Sequence, residues 1–408
     1  MLASNGNLIL DVRSPAEYAH AHLPGALNLP LFSNEERKVV GTAYKQESRQ
    51  QAIKIGLDYF GPKMRQMVEE VERLLAQNHG VEVQGEKSTI ETDSANDAIN
   101  TTNQNIAAKS KTNDAADFVP RLQDSTLNVE LKYGLLSTIN SVFVYCWRGG
   151  MRSGGVAWLL NLYGFNVTVL TGGYKSFRRR CLEVLQQPYK LKILGGYTGS
   201  GKTKVLTELR NRGEKTIDLE AIARHKGSAF GRIGDGVQPS QEMFENLLSQ
   251  QLEKLNPGQQ LSIGESISAI DNSTIWIEDE SQRIGQVNIP NAFWNNMRRS
   301  PVCFLDIPFE ERLDYITTEY GNIDPATLSE ATQRITKRLG GVETKSAIAF
   351  IEEGNVREAF RILLRYYDKL YQKGLLNRQN LPTLLHKIEC PTVTAANANA
   401  LLKQYQTV

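Results

Sequence analysis

The chain has 408 residues, 40% of them hydrophobic and 23% charged, an ordinary globular composition that can bury more than one core, so two or three domains are expected. No apolar run approaches the roughly 18 residues that a bilayer span requires, and Met1-Leu2-Ala3-Ser4-Asn5 lacks the charged and apolar regions of a signal peptide. These features argue against membrane insertion and secretion and lead to the expectation of a cytoplasmic protein. The four cysteines, Cys146, Cys181, Cys303 and Cys390, are scattered without Cys-x-x-Cys or histidine pairing, which argues against a zinc site and a disulfide framework. The net charge of +2 conceals an asymmetry: from Ser141 to Lys215, 13 Lys/Arg stand against 3 Asp/Glu, a cluster that fits a polyanionic substrate.

In chain order, Leu8-Ile9-Leu10 reads as a buried strand running into the polar turn Asp11-Val12-Arg13, where Asp11 and Arg13 form a structural ion pair. Ser14-Pro15-Ala16-Glu17 supplies an N-cap, a proline in the first helical position and a capping-box glutamate, so a short helix follows. His22 to Pro30 gives a turn and a second strand, with His20 and His22 as surface or turn residues. Asn34 to Gln77 reads as helical, with Asn34 as cap and Gly61-Pro62 as a break between helices. From about 85 to 125 the pattern dissolves. The Ser/Thr/Asn/Asp/Ala-rich run from Asn96 to Asp117 has no aromatic residue and no apolar period, so a disordered insertion is expected there.

Val142 to Tyr145 is an apolar strand that delivers Cys146 into the loop Trp147-Arg148-Gly149-Gly150-Met151-Arg152-Ser153. A helix should begin near Ser153, because Val156, Ala157, Leu159, Leu160 and Tyr163 recur at helical spacing and Gly164 is a stop. Cys146 then sits at a helix N-terminus. Inward backbone N–H groups, the helix dipole and the guanidinium groups of Arg148 and Arg152 favour its thiolate, and the same loop suits a tetrahedral oxyanion or a chalcogen carried by phosphate. A structural cysteine needs no flanking glycines and arginines, so Cys146, Arg148 and Arg152 are the candidate catalytic residues.

After a helix carrying Arg178, Arg179 and Arg180, Gln186-Gln187-Pro188 reads as a junction. Leu191 to Leu194 is a strand, and Gly196-Tyr197-Thr198-Gly199-Ser200-Gly201-Lys202-Thr203 is a complete G-x-x-x-x-G-K-T phosphate loop that opens a helix. Gly196, Gly199 and Gly201 let backbone N–H groups close on a diphosphate, Lys202 neutralises it, and Thr203 places a hydroxyl near a Mg²⁺ ion. Asp218, Glu278 and Asp306 all end apolar strands as a metal-holding carboxylate would, with Asp218 and Glu278 ranked first. Pro290 and Pro308 mark helix starts. Val356 to Gln372 is amphipathic, and its row Arg357, Arg361 and Arg365 beside Tyr366, Tyr367 and Tyr371 either faces RNA or is a packed helix with a solvated edge.

D-V-R-S-P-A-E-Y followed by H-L-P-G-A-L-N-L-P resembles the paired rhodanese signatures, and a strand-borne cysteine opening a Gly/Arg loop resembles that family's sulfur-carrying site. Thr171-Gly172-Gly173 resembles the end of a rhodanese domain. Together with the phosphate loop, the segments Glu36 to Lys45, Asp218 to Gly231 and Trp276 to Gly285 resemble the tRNA 2-selenouridine synthase family over nearly the whole chain. The expected fold is α/β: a rhodanese-like parallel-sheet domain over residues 1–185, then a P-loop NTPase-like α/β domain over 189–408 with a helical C-terminal part. Two departures are the polar insertion and a first signature so close to Met1 that a strand at the sheet edge is expected to be absent.

The resemblance implies a transferase that replaces the 2-thio sulfur of wobble 2-thiouridine in tRNA by selenium from selenophosphate, through an S-geranylated intermediate made from geranyl diphosphate. Cys146 would carry selenium as a selanylcysteine, and the phosphate loop would bind a diphosphate. The residues by themselves also fit two other readings. Cys146 to Ser153 has the C-x₅-R-S spacing of cysteine phosphatases, in which Arg152 stabilises the transition state, although Tyr145 stands where those enzymes have histidine. A nucleotide-binding adaptor with an inert rhodanese module is the non-catalytic alternative.

Overall fold

The computed structural model describes residues 7–78, 141–228, 230, 236–256 and 274–406; the insertion expected at about 85–125 lies outside the described residues. Two parallel sheets dominate. The first has the order β2-β1-β3-β4, with β1 at Leu8–Asp11, β2 at Leu27–Asn28, β3 at Val142–Tyr145 and β4 at Val167–Val169. The central strands β1 and β3 are almost wholly apolar because both faces are covered. Leu8, Leu10, Val142 and Val144 pack against Phe60, Val71, Val156 and Leu160 on one face, while Ile9 and Tyr145 meet Ala21, Leu23 and Tyr174 on the other.

The Asp11 and Arg13 pair is buried as expected, with Arg13 Nη2 2.6 Å from Asp11 Oδ2 and the guanidinium 4.0 Å from the centre of the Tyr174 ring. The helix Pro15–His20 starts where its capping sequence places it. The long helical tract is broken twice rather than once, into Asn34–Gln46, Arg49–Phe60 and Met64–Asn78. Ser33, not Asn34, caps the first of these: its hydroxyl accepts from Glu36 N at 3.2 Å. Asn34 Oδ1 instead accepts from Ala16 N at 2.9 Å and ties two helix starts together. The additional break has its own cap, Ser48, which takes Gln51 N at 3.1 Å.

The second sheet has the order β11-β10-β5-β7-β6. Its strands are β5 at Leu191–Gly196, β6 at Lys215–Ile217, β7 at Ile275–Glu278, β10 at Val302–Asp306 and β11 at Leu385–Glu389, and a small hairpin joins β8 at Arg283–Ile284 to β9 at Val287–Asn288. From β5 the chain first builds β6 and β7 on one side and then β10 and β11 on the other. The C-terminal end of β5 is therefore the crevice where open α/β sheets receive ligands, and the phosphate loop leaves from that end. Pro290 and Pro308 stand immediately before the helices Asn291–Arg299 and Phe309–Tyr320. The helices Phe309–Tyr320, Pro325–Arg334, Gly341–Glu352 and Val356–Leu376 share a core of their own, centred on Leu313, Leu328, Phe360 and Leu363.

Much of the basic excess between Ser141 and Lys215 is spent inside the molecule. The helix Gly173–Leu185 lies against Gln241–Leu255, where Arg178 pairs with Glu245 and Arg180 Nε lies 2.8 Å from Glu253 Oε1. Tyr174 donates to Glu242 at 2.6 Å and accepts from Asn246 Nδ2, which also donates to His22 O at 3.1 Å. Lys204 and Arg212 are matched by Glu319 and Glu208. Part of the cluster thus serves docking and packing, and Arg148 is among the residues of it that stay exposed.

Candidate functional site

Cys146 leaves the end of β3, and the helix Met151–Tyr163 begins five residues later. The helix stops at Gly164, which takes the left-handed conformation with φ 113°. The start of Gly173–Leu185 braces the loop from behind: Tyr174 N donates to Cys146 O and Lys175 N to Trp147 O, both at 2.9 Å. This brace requires glycine at 173, since a Cβ there would lie 2.3 Å from Cys146 O on a backbone with φ 58°.

The thiol is 4% exposed and Ser153 Oγ lies 3.3 Å from it. Burial pushes the Cys146 thiol up, but the Ser153 hydroxyl and the backbone amides of Ser153, Arg148 and Gly150 outweigh it, so the group sits below its ordinary value. Ser153 Oγ is also 3.1 Å from Gly150 O; its one proton turns to sulfur when the thiolate forms. Arg148 is exposed, and Arg152 Nη1 is held by Glu17 Oε2 at 3.1 Å, a carboxylate that also binds Arg37. Replacing Ser153 by alanine is expected to move the pH midpoint of Cys146 alkylation upward and to slow alkylation at neutral pH about tenfold, the loss of one charge-assisted hydrogen bond. Iodoacetamide labelling followed by mass spectrometry measures it, and an unchanged profile would show that the amides suffice.

At the second site, Lys202 and Thr203 open the helix Lys202–Asn211, and Lys202 Nζ donates to Gly196 O at 3.1 Å. The loop is fixed from below by side chains distant in sequence. Tyr371 accepts from Gly196 N at 3.1 Å and donates to Asp279 Oδ2 at 2.7 Å, and Asp279 pairs with buried Arg378. Arg312 donates to Thr198 O at 3.0 Å while its guanidinium forks onto Asp368 at 2.9 and 2.8 Å. Gly199 is pressed so close to this helix that a Cβ would lie 2.9 Å from Arg312 O. Ser200 Oγ is buried in the loop with no hydrogen-bond partner among the described residues, a polar atom that an anion or water would satisfy.

Of the three strand-end carboxylates, Asp218 and Glu278 line the cleft at the phosphate loop, and Glu278 ends the strand beside β5 with Leu194 as its register partner. Asp218 caps the short helix Leu219–Ala223 by taking Ala221 N at 2.8 Å. Asp306 pairs with Lys387 at 3.1 Å. The sheet register also brings in two glutamates not singled out from sequence: ligand oxygens of Glu220, Glu278 and Glu280 all lie within 4.8 Å of one another. Burial, then repulsion from Glu220 and Asp218, pushes the Glu278 carboxyl up to about 8 against the pull of Lys202. Glu220 and Glu280 are also raised, chiefly by burial.

A carboxyl raised on folding stabilises the protein below its unfolded value, and that stability is lost as pH rises through the folded value. Thermal stability in a chelating buffer should therefore fall between about pH 5 and about pH 8, and Glu278→Gln should flatten the fall. A wild-type melting temperature that rises over this window would contradict the crowding.

In the row Arg357, Arg361 and Arg365, the first two pair with acidic side chains and the third is exposed. Arg357 binds Glu310 and Asp314 at 2.8 Å, Arg361 binds Glu310 and Glu358, and Arg365 lies 6.0 Å from the Phe309 ring. All four cysteines are free, and no helix among the described residues is long and apolar enough to cross a membrane.

A thiolate-stabilising loop on one parallel sheet and a phosphate loop on another define a two-site α/β protein of the rhodanese and P-loop classes. Residues 1–59 match the rhodanese-like domain, and residues 189–393 match the tRNA 2-selenouridine synthase AAA domain. Proteins named tRNA 2-selenouridine synthase from Nitrosomonas europaea, Shewanella pealeana and a Sulfurovum species are 30%, 29% and 27% identical to it, over 92%, 90% and 98% of this chain and 90%, 88% and 96% of theirs. The chain belongs to the tRNA 2-selenouridine synthase family, whose members are tRNA-modifying transferases.

Proposed function

We propose that this chain converts wobble 2-thiouridine of tRNA to 2-selenouridine in the cytoplasm, in two steps assigned to its two sites. In the first, the 2-thio sulfur attacks the geranyl carbon of geranyl diphosphate and diphosphate leaves. In the second, the Cys146 thiolate attacks C2 of the geranylated base, geranylthiol leaves, and Cys146 carries the base as an S-linked adduct; the selenium of selenophosphate then displaces Cys146 from C2, and hydrolysis of the Se–P bond releases phosphate and leaves 2-selenouridine. Arg148 and Arg152 flank Cys146 as anion contacts for the selenophosphate, and Gly196, Gly199, Gly201, Lys202 and Thr203 cradle the diphosphate.

The observation that carries this reading is the Cys146 thiol, held below its ordinary pKa by Ser153 and three loop amides, in a chain that also has a braced phosphate loop. A thiolate of that kind is the nucleophile and carrier that chalcogen chemistry needs. Oxygen donors suit Mg²⁺, and Glu278 Oε1 is buried without a hydrogen-bond partner among the described residues, so the residues fit such an ion. Glu278, Glu220 and Glu280 would hold it with the Thr203 hydroxyl, and it would supply positive charge against the diphosphate.

The test is reconstitution. Purified protein, tRNA containing 2-thiouridine, geranyl diphosphate and selenophosphate should yield 2-selenouridine by nucleoside mass spectrometry, and omitting geranyl diphosphate should stop it. Selenium incorporation that proceeds equally well without the prenyl donor would overturn the two-step scheme.

A further inference from the structure

The phosphate loop opens into a cleft of about 1900 Å³, well beyond the roughly 300 to 1,000 Å³ of a small-molecule pocket. A prenyl diphosphate alone leaves most of it unfilled. It is lined by the loop itself with Glu278, by the 224–228 segment and residues of the β8 hairpin, and by residues of the 334–338 and 366–377 stretches.

The rim is cationic. Arg224, Arg283, Lys337 and Arg338 are exposed around the cleft, and among the described residues none is in an ion pair. The acidic side chains nearby are either matched, as Glu208 is by Arg212 and Glu319 by Lys204, or lie at the floor. Trp294, Tyr366 and Tyr367 set half-buried rings into the same walls.

The Arg224 wall is built rather than incidental. Arg224 holds a left-handed backbone with φ 49°, unfavourable for a residue with a Cβ. Gly227 packs so tightly onto the floor that a Cβ would lie 2.7 Å from Glu280 Oε2 and 2.9 Å from Glu220 Oε1.

We propose that this cleft seats the single-stranded loop of the substrate RNA. Backbone phosphates run along Arg224, Arg283, Lys337 and Arg338, and unpaired bases stack on the wall rings, which brings the target base over the phosphate loop. Exposed cations lining the cleft suit a strand with a charge at every nucleotide, and ring faces are available only to bases outside a duplex. This rests on the reading of the chain as a tRNA-modifying enzyme and adds where the RNA lies. It also places RNA recognition on residues other than the row of the Val356–Leu376 helix, which is held by Glu310, Asp314 and Glu358.

The experiment is fluorescence anisotropy of the full-length protein with a labelled anticodon stem-loop RNA, titrated at several salt concentrations. The double variants Arg283→Glu with Arg338→Glu, and Arg283→Gln with Lys337→Gln as a milder pair, should weaken binding by roughly tenfold or more. They should also reduce the slope of log Kd against log salt by about 0.7 for each lost phosphate contact. Lys54→Glu with Arg65→Glu, exposed on the helices of the first sheet, should leave both quantities unchanged. Cleft variants that keep their melting temperature and bind RNA as tightly as wild type, with the same slope, overturn the cleft assignment. Wild-type protein that fails to bind the RNA at all overturns the functional reading beneath it, and the two failures are thereby distinct.

Discussion

Replacing Cys146 by serine is expected to lower 2-selenouridine formation by about 10⁴-fold or more, because an essential nucleophile is lost while its surroundings remain. The hydroxyl stays protonated where the thiol ionises, so the hydrogen bonds from Ser153 and the loop amides no longer have an anion to stabilise. Stability should change little. Serine is close in size to cysteine, and the brace from Tyr174 and Lys175 engages only the backbone of the loop. S-geranylated tRNA should accumulate, since the first step takes place at the other sheet. Nucleoside mass spectrometry and a thermal melt together make the check, and a variant forming 2-selenouridine at the normal rate would remove Cys146 from the carrier role.

Lys202→Ala should produce the mirror image. Its ammonium is the one side-chain charge of the phosphate loop itself, and removing a charge that stabilises a departing anion costs about 10² to 10³ in rate. Geranylation should fall by that factor. Conversion of tRNA supplied already geranylated should survive, because the Cys146 loop takes no part in lining the cleft above the phosphate loop. The backbone of the phosphate loop should persist in the variant, since Tyr371 holds Gly196 N and Arg312 holds Thr198 O, and only the single Lys202 bond to Gly196 O is lost. Loss of the second step with geranylation intact would assign the phosphate loop to selenophosphate or a nucleotide instead.

The features readable from sequence were those encoded locally. Val142 to Tyr145 and Leu191 to Leu194 announce buried parallel strands by unbroken apolar character, and the residues after each dictate the turn: glycines where the backbone closes, then a helix. Cys146 and the phosphate loop were legible for this reason. Capping was legible only to within a residue, because Ser33 and Asn34 are both good caps and Ala16 N decides between them from 18 residues away.

What escaped was assembled at long range. The ion pair that orients Arg152 comes from Glu17, 135 residues earlier, and nothing local to either residue announces it. Glu220 and Glu280 acquire meaning only when the sheet order sets β6 and β7 beside the phosphate loop, although each stands two residues after a carboxylate already singled out. Arg357 and Arg361 show why a charged helical stripe is ambiguous: its period is the same whether it meets solvent, RNA or, as here, the acidic face of another helix. Ser153 had a signal in the C-x₅-R-S spacing, where the hydroxyl one turn into the helix points back at the thiol.

The most direct test of the account is nucleoside analysis of tRNA from selenium-fed cells that lack their own synthase and carry this chain. Wild-type protein should restore 2-selenouridine, Cys146→Ser should leave S-geranyl-2-thiouridine in its place, and Lys202→Ala should leave unmodified 2-thiouridine. Cells carrying folded wild-type protein whose tRNA contains 2-thiouridine alone would contradict it.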